Sequence, residues 1–192
     1  LMEELRNGLR YVREFTPLKY ILFNLGMMSF MGMPYAILMP VFAKDVLKGG
    51  PETLGFLMAS SGVGALAGAL FLASRKSILG LGRLIGVASM LFGAGIVLFG
   101  ISRSLPLSLV LTAVAGFGLM VQMVASNTIV QTIIEEDMRG RVMSFFAMAF
   151  AGTMPFGSLY AGTLASSIGA PSTLAISGIL CIAGGMIFRD GK

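Results

Sequence analysis

The chain has 192 residues, 56% of them hydrophobic and only 12% charged, with a mean hydropathy of +0.88. A water-soluble domain carries about a quarter charged residues, so this composition excludes an ordinary soluble fold and identifies an integral membrane protein, long enough for several helical spans and too short for a large second domain. The net charge of +5 does not mark a nucleic-acid surface, because the basic residues stand at the ends of apolar runs, where they set membrane topology, rather than along one solvated face.

The single cysteine, Cys181, lies inside an apolar run. It has no partner for an internal disulfide, and with no histidine in the chain neither a metal site nor a cofactor is expected. No charged segment followed by a short apolar run and a small-residue cleavage site opens the chain, so no secretory signal is expected. A first residue that is Leu1 reads as a piece of a longer polypeptide.

Over residues 1–16, Met2, Leu5, Leu9 and Val12 recur at helical spacing among Glu3, Glu4, Arg6, Arg10, Arg13 and Glu14. The pattern predicts an amphipathic helix, either lying on the cytoplasmic leaflet or serving as a solvated linker. Pro17 ends it or opens the next element. A bilayer-crossing helix needs about twenty apolar residues, and the uncharged runs predict six of them in a bundle over 17–192: 20–43, 54–74, 84–102, 107–134, 142–167 and 172–188. The breaks are a Gly49-Gly50-Pro51 turn, a glycine-flanked loop over 77–83, a minimal turn at Arg103 to Pro106, and Gly169-Ala170-Pro171-Ser172.

The remaining break organises the others. Glu135, Glu136, Asp137, Met138, Arg139, Gly140 and Arg141 form a knot of charge between two runs, 104–134 and 142–188, that contain no charged residue at all. It predicts a tight aqueous hairpin, cytoplasmic because short loops rich in Lys and Arg stay inside. Six spans then put both termini on the cytoplasmic side. Arg6, Arg10, Arg13, Lys19, Arg75, Lys76, Arg83, Arg139, Arg141, Arg189 and Lys192 fall inside, against Lys44, Lys48 and Arg103 outside. The 26 glycines supply the close helix approach that packing in lipid requires. Ser60, Gly64 and Gly68 in the second span share a face at four-residue spacing.

The stretch Asn127-Thr-Ile-Val-Gln131, an acidic turn, then Arg139-Gly-Arg141-Val-Met-Ser144 and a Gly/Pro-rich span resembles the tenth and eleventh helices of the major facilitator superfamily. The closest likeness is to bacterial drug and siderophore exporters of the enterobactin-exporter type. Ala73-Ser74-Arg75-Lys76 with Gly82-Arg83 is similar to the second-half copy of that superfamily's Gly-x-x-x-Asp-Arg-x-Gly-Arg loop, with Ser74 where an Asp is expected. Gly152-Thr-Met-Pro155-Phe-Gly157 is similar to the antiporter Gly-Pro kink, and Leu5 to Tyr11 to the end of the linker joining the two halves.

The resemblance implies an all-α polytopic fold, one half of a transporter built from two inverted three-helix repeats. This chain would be helices seven to twelve, with a six-helix half upstream, or a second copy, as partner. It implies a bacterial inner-membrane protein that moves a small, hydrophobic or amphipathic solute, by proton-coupled efflux. Asn24, Met27, Met28, Met31, Gln122, Ser126 and Asn127 are the candidate cavity residues. The neutral polar ones serve equally well as interhelical hydrogen-bonding groups, and the methionines as ordinary packing. Arg75, Gly82, Arg83, Arg139, Gly140, Arg141, Pro155 and Gly157 are the candidate loop and gating residues. Arg139 and Arg141 either pair with Glu135, Glu136 or Asp137 to hold one state closed, or set topology alone.

No predicted span contains an acid, Lys, Arg or His, so the coupling carboxylate is expected outside this chain. The same lack leaves acid–base and nucleophilic chemistry nothing to run on, and no enzyme is expected. A six-helix substrate-capture subunit of a multi-component importer, or a channel-like homodimer, fits the span count as well.

Overall fold

A computed structural model describes residues 11–12, 15–75 and 77–190. Apart from its last residues, the helix expected over 1–16 lies outside them, as does Lys76. The described residues form α-helix interrupted by two π turns and short connections. We number the helices α1 (Thr16–Val41), α2 (Pro51–Ala73), α3 (Leu81–Ile101), α4 (Leu105–Ile133), α5 (Glu136–Ala147), α6 (Met154–Ile168) and α7 (Ala170–Asp190).

A π turn at Phe42–Val46 prolongs α1, and another at Met148–Gly152 joins α5 to α6. The result is six helices long and apolar enough to cross a membrane: Thr16–Val46, Pro51–Ala73, Leu81–Ile101, Leu105–Ile133, Glu136–Ile168 and Ala170–Arg189. The chain is a multi-pass membrane protein. Pro17, Pro51, Pro106 and Pro155 open their helices, at positions whose N–H would have no intrahelical partner in any case.

Several helices outrun the uncharged stretches. Lys19 lies in α1, Lys44 and Asp45 in the π turn beyond it, and Arg83 in the first turn of α3. The 31 residues of the first span and 33 of the fifth reach about 45–50 Å at 1.5 Å per residue, well beyond the roughly 30 Å of hydrocarbon. An uncharged run measures the hydrocarbon depth, whereas the helix continues into the polar headgroups.

The charge knot shows the same effect. Ile134 and Glu135 are extended, and the helix restarts at Glu136, so most of the expected hairpin is the first turn and a half of α5. Glu136 and Asp137 sit in that first turn, where acidic groups complement the helix dipole.

Helix pairing follows the inverted-repeat pattern. The third and sixth spans, α3 and α7, form one extensive contact; α4 packs on α2 and α3, and α1 on α7 and the α5–α6 span. A two-fold relation exchanging spans one with four, two with five and three with six reproduces this set of pairs.

Glycines set the closest approaches. A Cβ at Gly86 would stand 3.0 Å from the Gly185 carbonyl oxygen, one at Gly93 2.5 Å from that of Gly178, and one at Gly100 3.1 Å from that of Pro171. The glycines recur every seven residues and their partners run backwards, so α3 and α7 lie antiparallel with bare backbones in contact. On α2, Gly64 and Gly68 face the carbonyls of Ala113 and Phe117, while Ser60 Oγ donates to Leu109 O at 2.6 Å. The face expected from the spacing of Ser60, Gly64 and Gly68 is the α2–α4 seam. Phe92, Ile96, Phe99, Phe42 and Leu174 fill the interior beside Tyr35.

Candidate functional site

The fifth span is broken midway for a local reason. Pro155 has no N–H to return to the preceding turn, and the chain resolves this with the π turn at Met148–Gly152 before α6 begins. Carbonyls exposed by such a break must find other donors in lipid. Ser29 Oγ of α1 donates to Phe150 O at 2.5 Å, and Thr153 Oγ1 reaches Ala149 O at 2.9 Å. Gly157 brings α6 against the backbone of Phe30, where a Cβ would meet the carbonyl oxygen at 2.5 Å. The break is thus pinned to α1.

Beside it lies a cavity of about 220 Å³, bounded by Met28, Ser29, Tyr35 and Met39 of α1, Met58 and Ser61 of α2, Leu119 of α4 and Phe150. Leu119 is the middle residue of α4, and Ser61 and Phe150 each lie within two residues of the middle of their spans. The cavity therefore sits near the midplane. Its walls are thioether and aromatic, adaptable surfaces for apolar groups.

The Tyr35 ring is held edge-on against Phe92 and Phe99, with centroids 6.2 and 5.9 Å away. Its hydroxyl lies beside Ser61, yet is buried without a hydrogen bond of proper geometry. A buried unpaired hydroxyl costs about 1–3 kcal/mol, a cost that a bound solute offering a polar atom would remove.

Of the candidates named from the sequence, Met28 lines this cavity. Asn24 is buried between α1 and α3, its Nδ2 donating to Ser89 Oγ at 3.2 Å while Oδ1 has no partner. The thioether end of Met27 covers Gly184 of α7, and Met31 packs against the main core. Gln122 and Ser126 are buried and bonded to each other at 3.4 Å; Asn127 accepts from Gln131 at 2.6 Å.

At the loops, Arg75 donates to Leu79 O at 3.1 Å. Gly82 is buried in α3, and Arg83 is exposed. Arg139 reaches Glu136 at 4.0 Å, both exposed, and Arg141 Nη1 approaches Met138 Sδ at 3.5 Å. A Cβ at Gly140 would meet nothing within 4 Å. Pro155 is exposed at the break.

Ser29, Tyr35, Ser61, Met39 and Met58 were not singled out from the sequence. The signal available was a run of Ser29, Gly32, Tyr35 and Met39 on one helical face.

Comparison with known proteins accords with this architecture. The family model described as transmembrane secretion effector matches residues 1–192. The multidrug efflux pump Tap of Mycolicibacterium fortuitum is 29% identical over 143 residues, 74% of this chain and 34% of that protein. The match spans about a third of that relative's length. With six spans paired in inverted fashion around a midplane cavity, the chain belongs to the transmembrane secretion effectors of the major facilitator superfamily.

Proposed function

We propose that this chain serves in the efflux of a small hydrophobic or amphipathic solute by alternating access, and is not an enzyme. It acts as the C-terminal six-helix half of a transporter in a bacterial inner membrane, with both termini cytoplasmic. The observation that carries this reading is the midplane cavity walled by Met28, Met39 and Met58, with the Tyr35 and Ser61 hydroxyls as its polar features. Such a lining takes varied apolar shapes and rewards one hydrogen-bonding group. The likeness to a multidrug efflux pump supports it.

Proton coupling draws on a carboxylate outside this chain, since the only acids in its spans stand at their ends, at Asp45, Glu52, Glu136, Asp137 and Asp190. In cells carrying the chain together with its companion half, export of a fluorescent lipophilic dye is the test. Met58→Ala and Tyr35→Phe should change the efflux rate or the dye preference several-fold, with membrane insertion unaltered. An identical dye spectrum in both variants, or no energy-dependent export by the parent, overturns the reading.

A further inference from the structure

The turn between α2 and α3 combines exposed apolar side chains with basic ones. Ile78 and Leu79 are 50% and 84% exposed on a turn that also carries Arg75, with Arg83 following in the first turn of α3. Apolar side chains between basic ones at the end of a span are the composition of a segment that dips into the headgroup layer.

Two side-chain hydrogen bonds tie its described residues together. Arg75 Nη2 donates to Leu79 O at 3.1 Å, and the Leu79 N–H donates to Ser77 Oγ at 3.1 Å. Behind it opens a cavity of about 320 Å³ between α2, α3 and α4, with apolar walls from Leu72, Ile78, Leu81 and Val124 and with Arg75 and Ser77 at its rim. The α2–α3 turn and both helices beyond Glu52 carry no acid, for no Asp or Glu occurs between Glu52 and Glu135; the acids next in the chain, Glu135, Glu136 and Asp137, follow the C-terminal end of α4. Arg83 even stands in the first turn of α3, with no acidic residue there, where the helix dipole disfavours a cation.

We propose that this groove holds one anionic phospholipid, its phosphate at Arg75 with Arg83 nearby and an acyl chain along the Leu72 and Val124 wall. One guanidinium nitrogen of Arg75 donates to Leu79 O; a guanidinium carries further N–H donors, and that fork matches paired phosphate oxygens. The occupant is a lipid rather than a free phosphate because most of the groove's lining is apolar, from Ala69, Leu72, Ala73, Ile78, Leu81 and Val124, which a bare phosphate would not cover. The assignment rests on the reading that this turn lies at a membrane surface, and it is tested without transport.

The full chain in detergent, given equal amounts of phosphatidylglycerol and phosphatidylcholine with matched acyl chains, is weighed intact by native mass spectrometry. Retention of phosphatidylglycerol should exceed that of phosphatidylcholine. Arg75→Gln and Arg83→Gln should each reduce that excess about fivefold. Arg75→Lys should keep most of it, and Arg103→Gln, at the opposite end, should leave it unchanged. Equal retention of the two lipids overturns the proposal, as does an excess that survives both glutamine variants or falls as far in Arg103→Gln. Inorganic phosphate that displaces the adduct at millimolar concentration overturns the lipid assignment.

Discussion

Substituting Gly93 by Ala probes the packing on which the bundle depends. The added Cβ would stand 2.5 Å from Gly178 O, 2.8 Å from Ile182 Cγ1 and 2.9 Å from Ile182 N, and two of the three are backbone atoms that cannot rotate away. Ordinary Cβ contacts begin at 3.4 Å, so α3 and α7 must part by roughly half to one ångström at this level, which forfeits a quarter to a half of the dispersion well for atoms in contact there. Lipid adds no hydrophobic force to restore the seam, because helix association in the bilayer rests on such packing. Overpacking of this kind costs about 1–3 kcal/mol, or roughly 2–12 °C in midpoint for a chain of this size.

Gly178→Ala meets Gly93 O at 2.6 Å and should cost about the same. The double variant should cost less than the sum, because the first substitution already opens the gap the second needs. Gly62 and Gly162 have nothing within 4 Å. Ala there should be neutral or stabilising by up to about 1 kcal/mol, the helix-propensity difference. Far-UV circular dichroism against temperature in detergent reads the five variants against the parent. A midpoint for Gly93→Ala equal to that of Gly62→Ala would refute the glycine-to-glycine seam.

Three further outcomes are expected. Ser29→Ala removes the donor to Phe150 O and should cost about 1–2 kcal/mol and slow efflux, read by thermal midpoint and dye export; unchanged values in both would mean the broken span is held some other way. Lys48 is the one described non-glycine residue with positive φ, at 54°, so Lys48→Gly should stabilise by about 0.5–1 kcal/mol, and a lower midpoint would contradict it. Arg139→Gln should change stability by less than about 1 kcal/mol, because its 4.0 Å pair with Glu136 is exposed, and Arg139→Gln with Arg141→Gln should change the efflux rate if these arginines latch one state; unchanged transport with normal insertion would leave them a topological role alone.

The five breaks between the spans were legible for two reasons: charge and lipid do not mix, so Lys44 to Glu52, Arg75, Arg103 and the 135–141 knot punctuate apolar runs, while Gly169 to Ser172 divides the uncharged run 142–188 by its Gly and Pro alone. Helix ends were less legible, since Leu81 and Glu136 begin helices in the headgroup zone where Arg83 and Asp137 are tolerated. The Ser60, Gly64 and Gly68 face could be read from its period. The match of Gly86 with Gly185 and Gly93 with Gly178 could not, because the two stretches are some ninety residues apart in the chain and nothing local marks them as partners. Hydroxyls were the weakest signal. Thr128, Thr132 and Ser144 bond carbonyls of their own helices, so a serine that reaches across, as Ser29 does, looks the same in sequence. Pro155 was visible as a breaker, but the donors that repair the break lie partly on another span.

Membrane sidedness underlies the efflux reading and is open to one direct measurement. In a Cys181→Ala background, Gly50→Cys and Ser77→Cys are each exposed, in sealed cells, to a maleimide that does not cross membranes. Labelling at residue 50 without lysis and at residue 77 only after lysis is the expected result. Labelling of both from the same side would contradict six spans with cytoplasmic basic turns.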